Sequence, residues 1–147
     1  MRGRKLDVYE GGIKVPGFAH WPERIKPGEV KNPMHIVDWL PTLAHVVGFE
    51  PKTEMYWDGV DQYPVIFEKA TSVERDMYWV QKSRCRALRY GEWKIVSYSK
   101  KAPQNSHKWE LYNLTQDPKE KTNVAAQNPE IVSDLHQRFS LHLSTDQ

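Results

Sequence analysis

The sequence predicts a mixed α/β chain whose second half is a four-stranded antiparallel sheet covered by one helix. Short runs rich in β-branched and aromatic residues follow one another after about residue 70, with turn residues between them. Gly91-Glu92 between two of these runs suits a tight hairpin. Asn128-Pro129-Glu130 combines a helix cap, a proline at the first helical position and an acid in the first turn. The predicted strands are residues 76–81, 85–90, 93–99 and 109–114.

The first half is predicted to hold a strand, a helix and a short helical turn. Residues 13–20 mix apolar and β-prone types and indicate a strand kinked at a Pro-Gly pair. A helix is predicted over residues 38–47, with Asp38 as its N-cap, one apolar face, and Gly48 as its C-terminal signal. Residues 63–70 are expected to form one helical turn.

Composition argues against two classes of protein. The 147 residues suffice for about one domain, and the formal net charge is only +2 with the basic residues scattered. Nucleic-acid binders normally carry a clustered basic patch, so nucleic acid is not an expected partner. No apolar stretch approaches the roughly 20 residues that span a bilayer, and no signal-peptide pattern is present. The compartment and the oligomeric state stay open.

The segment KLDVYEGG, residues 5–12, is the stretch best suited to chemistry. Gly11-Gly12 permits positive φ and a close backbone approach, which predicts a sharp turn into the following strand. Glu10 is placed to accept hydrogen bonds from N–H groups of that turn. Lys5 beside a rigid turn would present a fixed positive charge to an anionic group. The alternative is a solvated surface lysine.

Other polar candidates have plainer explanations. Asp58 and Asp61 could bind a hard cation, but two carboxylates in a glycine turn are typical of Asx-type turns. His45 lies within the predicted helix and is expected to be solvated or hydrogen-bonded, since the histidines lack metal-ligand spacing. His20 ends the predicted strand near the Lys5 turn, where a polar substrate contact or a purely structural placement both fit.

Two further features are expected to be structural or uninformative. The tryptophans of the predicted sheet, Trp79, Trp93 and Trp109, are expected to pack in the core. The triplet NLT at residues 113–115 matches a glycosylation acceptor, which carries meaning only in a secreted protein.

Six motifs resemble those of the sulfatases and occur in the family's order. Residues 5–16 contain Lys-x-x-x-Tyr-Glu-Gly-Gly followed by Ile-Lys-Val-Pro, which resembles the second sulfatase signature region. WPERIKPGEV resembles a Trp-Pro loop of the family, and HIVDWLPTLAHVVG resembles its Asp-x-x-Pro-Thr helix. The other three are DGVD, ALRYGEWKIV and ELYNLTQDPKEKTNVA. The resemblance covers essentially the whole chain.

The resemblance implies the alkaline-phosphatase-like α/β sulfatase fold, truncated to its C-terminal portion. Residues 1–68 would be the C-terminal end of the catalytic domain. Residues 69–147 would be a small α+β subdomain with a four-stranded antiparallel sheet and a terminal helix.

The resemblance also implies hydrolysis of a sulfate ester on a sulfated small molecule or glycan. The family uses a cysteine-derived formylglycine as nucleophile and a divalent cation, usually calcium. Lys5 matches the family lysine that binds a sulfate oxygen, and His20 is a second candidate for substrate binding. The nucleophile motif and the metal ligands of the family precede the Lys5 region. An upstream catalytic segment is therefore expected, and the chain is expected to be inactive alone.

Cys85 is the only cysteine, and CRALR at residues 85–89 fits a minimal Cys-x-Ala-x-Arg nucleophile pattern. The pattern lies in the C-terminal hairpin rather than early in a catalytic domain. Cys85 is therefore expected to be a packed or edge-strand thiol. No catalytic residue and no metal ligand is assigned within this chain.

Two other functions stay open. The chain could be a non-catalytic sulfatase-like domain that binds a sulfated ligand or a partner protein, or it could belong to a phosphatase or phosphodiesterase relative. An isolated fragment is expected to expose the apolar face of residues 36–47, which would pack on the parent sheet in a full sulfatase.

Overall fold

A computed structural model describes residues 1–81, 85–98 and 108–145. Met1–Pro16 and Glu74–Gln147 form one compact unit, the sheet unit, and Gly17–Val73 form a second, the helical unit. The predicted division into 1–68 and 69–147 concerns membership of a larger catalytic domain and stays a prediction. In chain order, the elements are α1 (Glu10–Ile13), a 3₁₀ turn (Ile36–Asp38), α2 (Trp39–Val46), α3 (Tyr63–Phe67), β1 (Met77–Gln81), β2 (Cys85–Tyr90), β3 (Trp93–Tyr98), β4 (Trp109–Asn113), a second 3₁₀ turn (Ala125–Gln127) and α4 (Pro129–Thr145).

The four strands form an antiparallel meander in the order β1-β2-β3-β4. Each lies within one residue of its predicted bounds, so the four-stranded sheet is confirmed. Gly91 adopts a φ of 56° in the two-residue turn that joins the paired residues Tyr90 and Trp93. The glycine is needed because a side chain at positive φ strains the backbone.

The strands alternate their side chains between two different apolar layers. On one face, Ala87 of β2 lies opposite Val96 of β3 and packs with Val8 and Tyr9 from the N-terminal segment. On the other face, helix α4 contributes Leu135 and Phe139 to an apolar layer that also contains Leu88, Ile95 and Leu111 of the strands. The period of two along each strand therefore gives the sheet a loop-covered face and a helix-covered face.

Helix α4 begins at Pro129 as predicted, and its apolar residues recur at the spacing that faces the sheet. Trp93 and Trp109 pack against this layer, and Trp79 packs against the opposite one, so the expected core roles are confirmed. Asp76, just before β1, pairs with two side chains of the helix, Arg138 at 3.4 Å and His142 at 3.0 Å. Within the described residues, no helix is both long enough and apolar enough to cross a membrane.

In the helical unit, buried polar side chains tie α2 to the segment before α3. The Asp38 carboxylate accepts hydrogen bonds from the His35 amide at 2.7 Å and the Val60 amide at 3.0 Å. Thr42 Oγ1 donates to the Asp38 carbonyl oxygen at 2.6 Å and accepts from the Gln62 amide at 2.9 Å. The predicted helix is confirmed, but the Asp38 side chain joins two loops instead of capping α2.

The outer face of α2 and its preceding 3₁₀ turn is apolar and exposed. The exposed side chains are Ile36, Leu40, Leu43 and Val47. The expected exposure of this apolar face is thus found in the 147-residue chain, and its packing on a parent sheet stays a prediction.

The strand predicted over residues 13–20 is wrong. The Lys14 amide donates to the Glu10 carbonyl oxygen at 2.9 Å, so residues 10–13 close a helical turn. The following residues, 14–20, form neither strand nor helix. Pro16 cannot donate to a sheet ladder, and β-prone composition alone does not supply a neighbouring strand.

The helix-covered layer should dominate the stability of the sheet unit. Phe139→Ala removes a fully buried ring and should lower the free energy of unfolding by about 3–5 kcal/mol. Urea denaturation of the 147-residue chain measures this loss. Leu141→Ala changes an exposed residue of the same helix and should cost less than about 0.5 kcal/mol. Equal losses in both variants would contradict the assigned packing of α4.

Candidate functional site

Lys5 lies in a tight turn at the start of the sheet unit. The Asp7 amide donates to the Arg4 carbonyl oxygen at 2.8 Å, and Leu6 has a φ of 76°. The Asp7 carboxylate in turn accepts a hydrogen bond from the Arg4 amide at 2.9 Å. These two bonds close the turn, and the Lys5 side chain is exposed on it.

Gly11 and Gly12 allow this turn to pack directly on helix α1. A Cβ atom on Gly11 would lie 2.6 Å from the Gly3 carbonyl oxygen, and one on Gly12 would lie 2.7 Å from the Arg4 carbonyl oxygen. The Gly11 amide also donates to the Arg2 carbonyl oxygen at 2.7 Å. The predicted close backbone approach is confirmed. The positive φ is found at Gly3 instead, because Gly11 and Gly12 are helical.

Glu10 joins the same turn to the sheet through a buried ion cluster, the Lys94 triad of Glu10, Lys94 and Glu120. Lys94 Nζ lies 2.9 Å from Glu10 Oε1 and 2.8 Å from Glu120 Oε1. The Glu10 amide donates to Glu120 Oε2 at 2.7 Å. The relative exposures of Lys94, Glu120 and Glu10 are 0%, 0% and 5%. The partner expected for Glu10, an N–H group of its own turn, is therefore wrong.

Further contacts hold Lys94 and Glu120 of the triad in place. Lys94 Nζ lies 5.6 Å from the centre of the Trp79 ring, which adds a cation–π contact. Glu120 itself has a φ of 54° and sits at the end of a turn in which its amide donates to the Asp117 carbonyl oxygen at 3.1 Å. Two carboxylates thus share one ammonium group.

A second polar cluster holds the N-terminal segment on the sheet. The hydroxyls of Tyr9 and Tyr112 each donate to Glu110 Oε2 at 2.6 Å. Arg2 donates to the Tyr112 hydroxyl and, at 3.0 Å, to the Tyr9 hydroxyl, and it lies 4.1 Å above the Tyr9 ring. Burial and the hydrogen bonds to Glu110 raise the pKa of both tyrosines. Burial opposes ionisation of Glu110, but the bonds from Tyr112 and Tyr9 and the Arg2 charge lower its pKa overall.

The family model of the N-sulphoglucosamine sulphohydrolase C-terminal region matches residues 4–144. The chain belongs to this sulfatase family. Among curated relatives, an N-acetylgalactosamine-6-O-sulfatase of Bacteroides thetaiotaomicron is 26% identical over 91% of this chain and 28% of its own length. Human arylsulfatase A is 26% identical over 99% of this chain and 34% of its own length.

The solved structures agree with this membership. A sulfatase solved in work on glycosaminoglycan metabolism by Bacteroides thetaiotaomicron has a TM-score of 0.81 and 25% sequence identity. The match covers 99% of this chain and 32% of that one. The sulfatase chain described here thus spans about a third of the length of such relatives, and the predicted sulfatase C-terminal fold is confirmed.

The two predicted substrate-binding residues fall in different units. Lys5 belongs to the sheet unit and His20 to the helical unit, and both side chains are exposed. Their expected proximity and their roles stay predictions.

The other candidates of the helical unit serve structure. Asp61 Oδ1 accepts from the Tyr63 amide at 2.8 Å, which confirms an Asx-type turn. Its second oxygen lies 2.6 Å from His45 Nδ1, and the His45 ring stacks on Tyr63 at 3.9 Å. His45 is therefore hydrogen-bonded, as expected. Asp58 is exposed in the same turn.

Cys85 and Asn113 of the sheet unit are buried. Cys85 is 1% exposed in the apolar layer of the loop-covered face, which confirms a packed thiol; its strand β2 is internal rather than an edge. Asn113 Oδ1 accepts from the amides of Thr115 at 3.1 Å and Gln116 at 3.0 Å. The NLT triplet is therefore a turn in this fold, with its acceptor amide enclosed.

The cofactors that the resemblance implies do not fit the described residues. Across residues 1–81, 85–98 and 108–145, no three His, Cys, Asp or Glu side chains form a group able to hold a metal ion. Cys85 lies on a sheet strand and is enclosed by apolar neighbours, so a formylglycine at that position would face no substrate. No step of the chemistry below is derived through calcium or formylglycine.

Sequence reasoning missed Lys94 and Glu120 as members of one cluster. Their motifs, ALRYGEWKIV and ELYNLTQDPKEKTNVA, indicate the family but not a contact between these two residues. The available signal was a lysine in the middle of a strand between apolar residues, where a solvated side chain does not fit.

Breaking the triad should cost far more than breaking a surface ion pair. Lys94→Met leaves two buried carboxylates without a counter-charge and should lower the free energy of unfolding by about 3–5 kcal/mol. Urea denaturation at neutral pH measures the change. Lys108→Met alters an exposed lysine of the same unit and serves as control. A Lys94→Met loss below about 1 kcal/mol, the value for surface pairs, would contradict a buried triad.

The tyrosine cluster predicts a loss of stability at alkaline pH. Because folding raises the pKa of Tyr9 and Tyr112, their contribution is present below the unfolded pKa of about 10 and is lost as the pH rises above it. Tyr9→Phe should make the free energy of unfolding fall less steeply from about pH 9 to about pH 11. Tyr56→Phe, which alters an exposed tyrosine, should leave the slope unchanged. An unchanged slope in Tyr9→Phe would count against the cluster.

Proposed function

We propose that this chain is the C-terminal part of a sulfuric ester hydrolase and that it supplies a substrate-contacting lysine, Lys5. The observation that carries the proposal is the position of Lys5. It is exposed on a closed turn that packs on helix α1, within a family match that covers residues 4–144. A lysine on a frayed terminus would have no such support.

Lys5 has the chemistry that sulfuryl transfer requires. Negative charge develops on the sulfate oxygens and on the leaving oxygen as the ester bond breaks. A fixed ammonium group directed at those oxygens stabilises this charge without reorganising, because its position is set before the reaction. Lysine acts here as a point charge with three N–H donors and needs no proton transfer.

His20 is the second substrate contact in the proposal. Its imidazole is exposed in the helical unit and can donate or accept a hydrogen bond near neutral pH. A contact of this kind orients the non-reacting part of the substrate, so it acts mainly on binding.

The nucleophile and the metal belong to another part of the proposed enzyme. Formylglycine and calcium, which the resemblance implies, are assigned to an upstream catalytic segment outside these 147 residues. The substrate is proposed to be a sulfated small molecule or glycan. One relative that aligns with 91% of this chain carries the name N-acetylgalactosamine-6-O-sulfatase. That name supports a sugar sulfate as the substrate.

A non-catalytic domain that binds a sulfated ligand or a partner protein is the second candidate. It is favoured by the absence of a metal-binding group among the described residues and by the exposed apolar side chains of α2. The two candidates differ in one respect, since only the hydrolase needs Lys5 for turnover.

Replacement of Lys5 should impair catalysis in the intact gene product that contains this chain. Lys5→Ala should lower kcat/KM for an aryl sulfate by about 10²–10³ fold, as for loss of one fixed donor to a developing oxyanion. Lys108→Ala, a matched exposed lysine, should have no effect. His20→Ala should raise KM several-fold with little change in kcat, because it removes binding that is equal in ground and transition states.

Three outcomes would contradict the proposal. Unchanged kcat/KM in Lys5→Ala would remove its proposed role. Faster hydrolysis of an aryl phosphate than of the aryl sulfate would favour a phosphatase relative. Turnover of the aryl sulfate by the pure 147-residue chain, abolished by Lys5→Ala, would show that no upstream segment is needed.

A further inference from the structure

We infer that Glu10, Lys94 and Glu120 are positioning residues for Lys5, which they hold in place without touching the substrate. The inference rests on the proposed function for the role of Lys5. The physical connection between the triad and the Lys5 turn, the mechanical link, depends only on contacts within the sheet unit.

The first step runs from the sheet to Glu10. Lys94 lies on the internal strand β3, where its neighbours across the two ladders are Arg89 and Tyr112. Its ammonium group binds Glu10 Oε1 and Glu120 Oε1 on the loop-covered face of the sheet. Glu120 holds the other end of the same residue, since its Oε2 accepts the Glu10 amide at 2.7 Å. Glu10 is therefore fixed by both side chain and backbone.

The second step runs from Glu10 to the Lys5 turn. Glu10 begins helix α1, and Gly11 and Gly12 follow it directly. The carbonyl oxygens of Gly3 and Arg4, on the Lys5 side of the chain, lie so close to these glycines that no Cβ atom fits between them. A shift of α1 would therefore displace the carbonyl groups on which the turn rests. The Lys5 backbone is thus tied to Lys94 through backbone contacts and one ion cluster.

A purely stabilising role is the alternative, and the energetics of buried charge argue against it. Well-packed apolar side chains of similar volume are often as stabilising as a buried ion pair, or more so. The opposite face of the same sheet is built in that way, from leucine, isoleucine and phenylalanine. The charged cluster instead restricts geometry, because Glu10 is held by its side chain at 2.9 Å from Lys94 Nζ and by its amide at 2.7 Å from Glu120 Oε2.

Amide hydrogen exchange in the 147-residue chain tests the mechanical link. The amides of Asp7 and Gly11 are bonded within the N-terminal segment and report on the Lys5 turn. Lys94→Met and the milder Glu120→Gln should each speed exchange at both amides by about tenfold or more relative to amides of β3. Leu135→Ala on the helix-covered face is the control, because it destabilises the unit from the other side and should not single out these amides.

Kinetics of the intact gene product test the positioning role. Glu120→Gln should lower kcat/KM for the aryl sulfate about tenfold when Lys5 is present, and should have no further effect in a Lys5→Ala background. Leu135→Ala should leave kcat/KM for the aryl sulfate unchanged at a temperature where the variant stays folded. Glu120→Gln remains informative if Lys94→Met does not fold.

The two hypotheses fail differently. Unchanged exchange at Asp7 and Gly11 in Glu120→Gln would overturn the inference, as would full additivity of Glu120→Gln and Lys5→Ala. A Lys5→Ala variant with normal kcat/KM would overturn the proposed function, and with it the catalytic meaning of the link. In that case faster exchange would still show that the triad holds the turn.

Discussion

The ion cluster centred on Lys94 is the constraint on which the N-terminal segment of the sheet unit depends. Its three members lie far apart in the chain, at positions 10, 94 and 120, and meet at 2.9 Å and 2.8 Å on one face of the sheet. Removing these charges from water is costly, and only close pairing with further hydrogen bonds offsets that cost. The cluster therefore exists only when α1, β3 and the turn before Glu120 are in register together.

The two faces of the sheet are held by different kinds of interaction. Helix α4 buries a continuous apolar layer on one face, where packing is non-directional and tolerant of small shifts. The other face carries the Lys94 triad and the cluster of Arg2, Tyr9, Glu110 and Tyr112, whose bonds are directional. Directional bonds of this kind restrict the N-terminal segment more closely than apolar packing does. The proposed role of Lys5 depends on that restriction.

Local patterns predicted the sheet and α4 well because each depends on residues close in sequence. Alternating apolar residues, a glycine turn and a Pro-Glu helix start act within a few positions. The strand predicted over 13–20 failed because a strand also needs a neighbour, which composition does not reveal. The Lys94 triad was invisible for the same reason, since its bonds join residues distant in sequence, 84 positions apart for Glu10 and Lys94 and 110 for Glu10 and Glu120. Sequence could identify Lys5 as a candidate, but not what holds it.

The buried polar contacts give the resemblance to sulfatases a physical explanation. Three of the six motifs each contribute one member of the Lys94 triad: Glu10, Lys94 and Glu120. The Asp-x-x-Pro-Thr motif contributes Asp38 and Thr42, which tie α2 to the amides of Val60 and Gln62. Much of what makes this chain look like a sulfatase is thus buried polar geometry, whereas Lys5 and most of the WPERIKPGEV motif are exposed. An unpaired buried charge is costly, so each partner in such a cluster constrains the others. Under the proposed function, this buried polar framework holds the turn that carries Lys5.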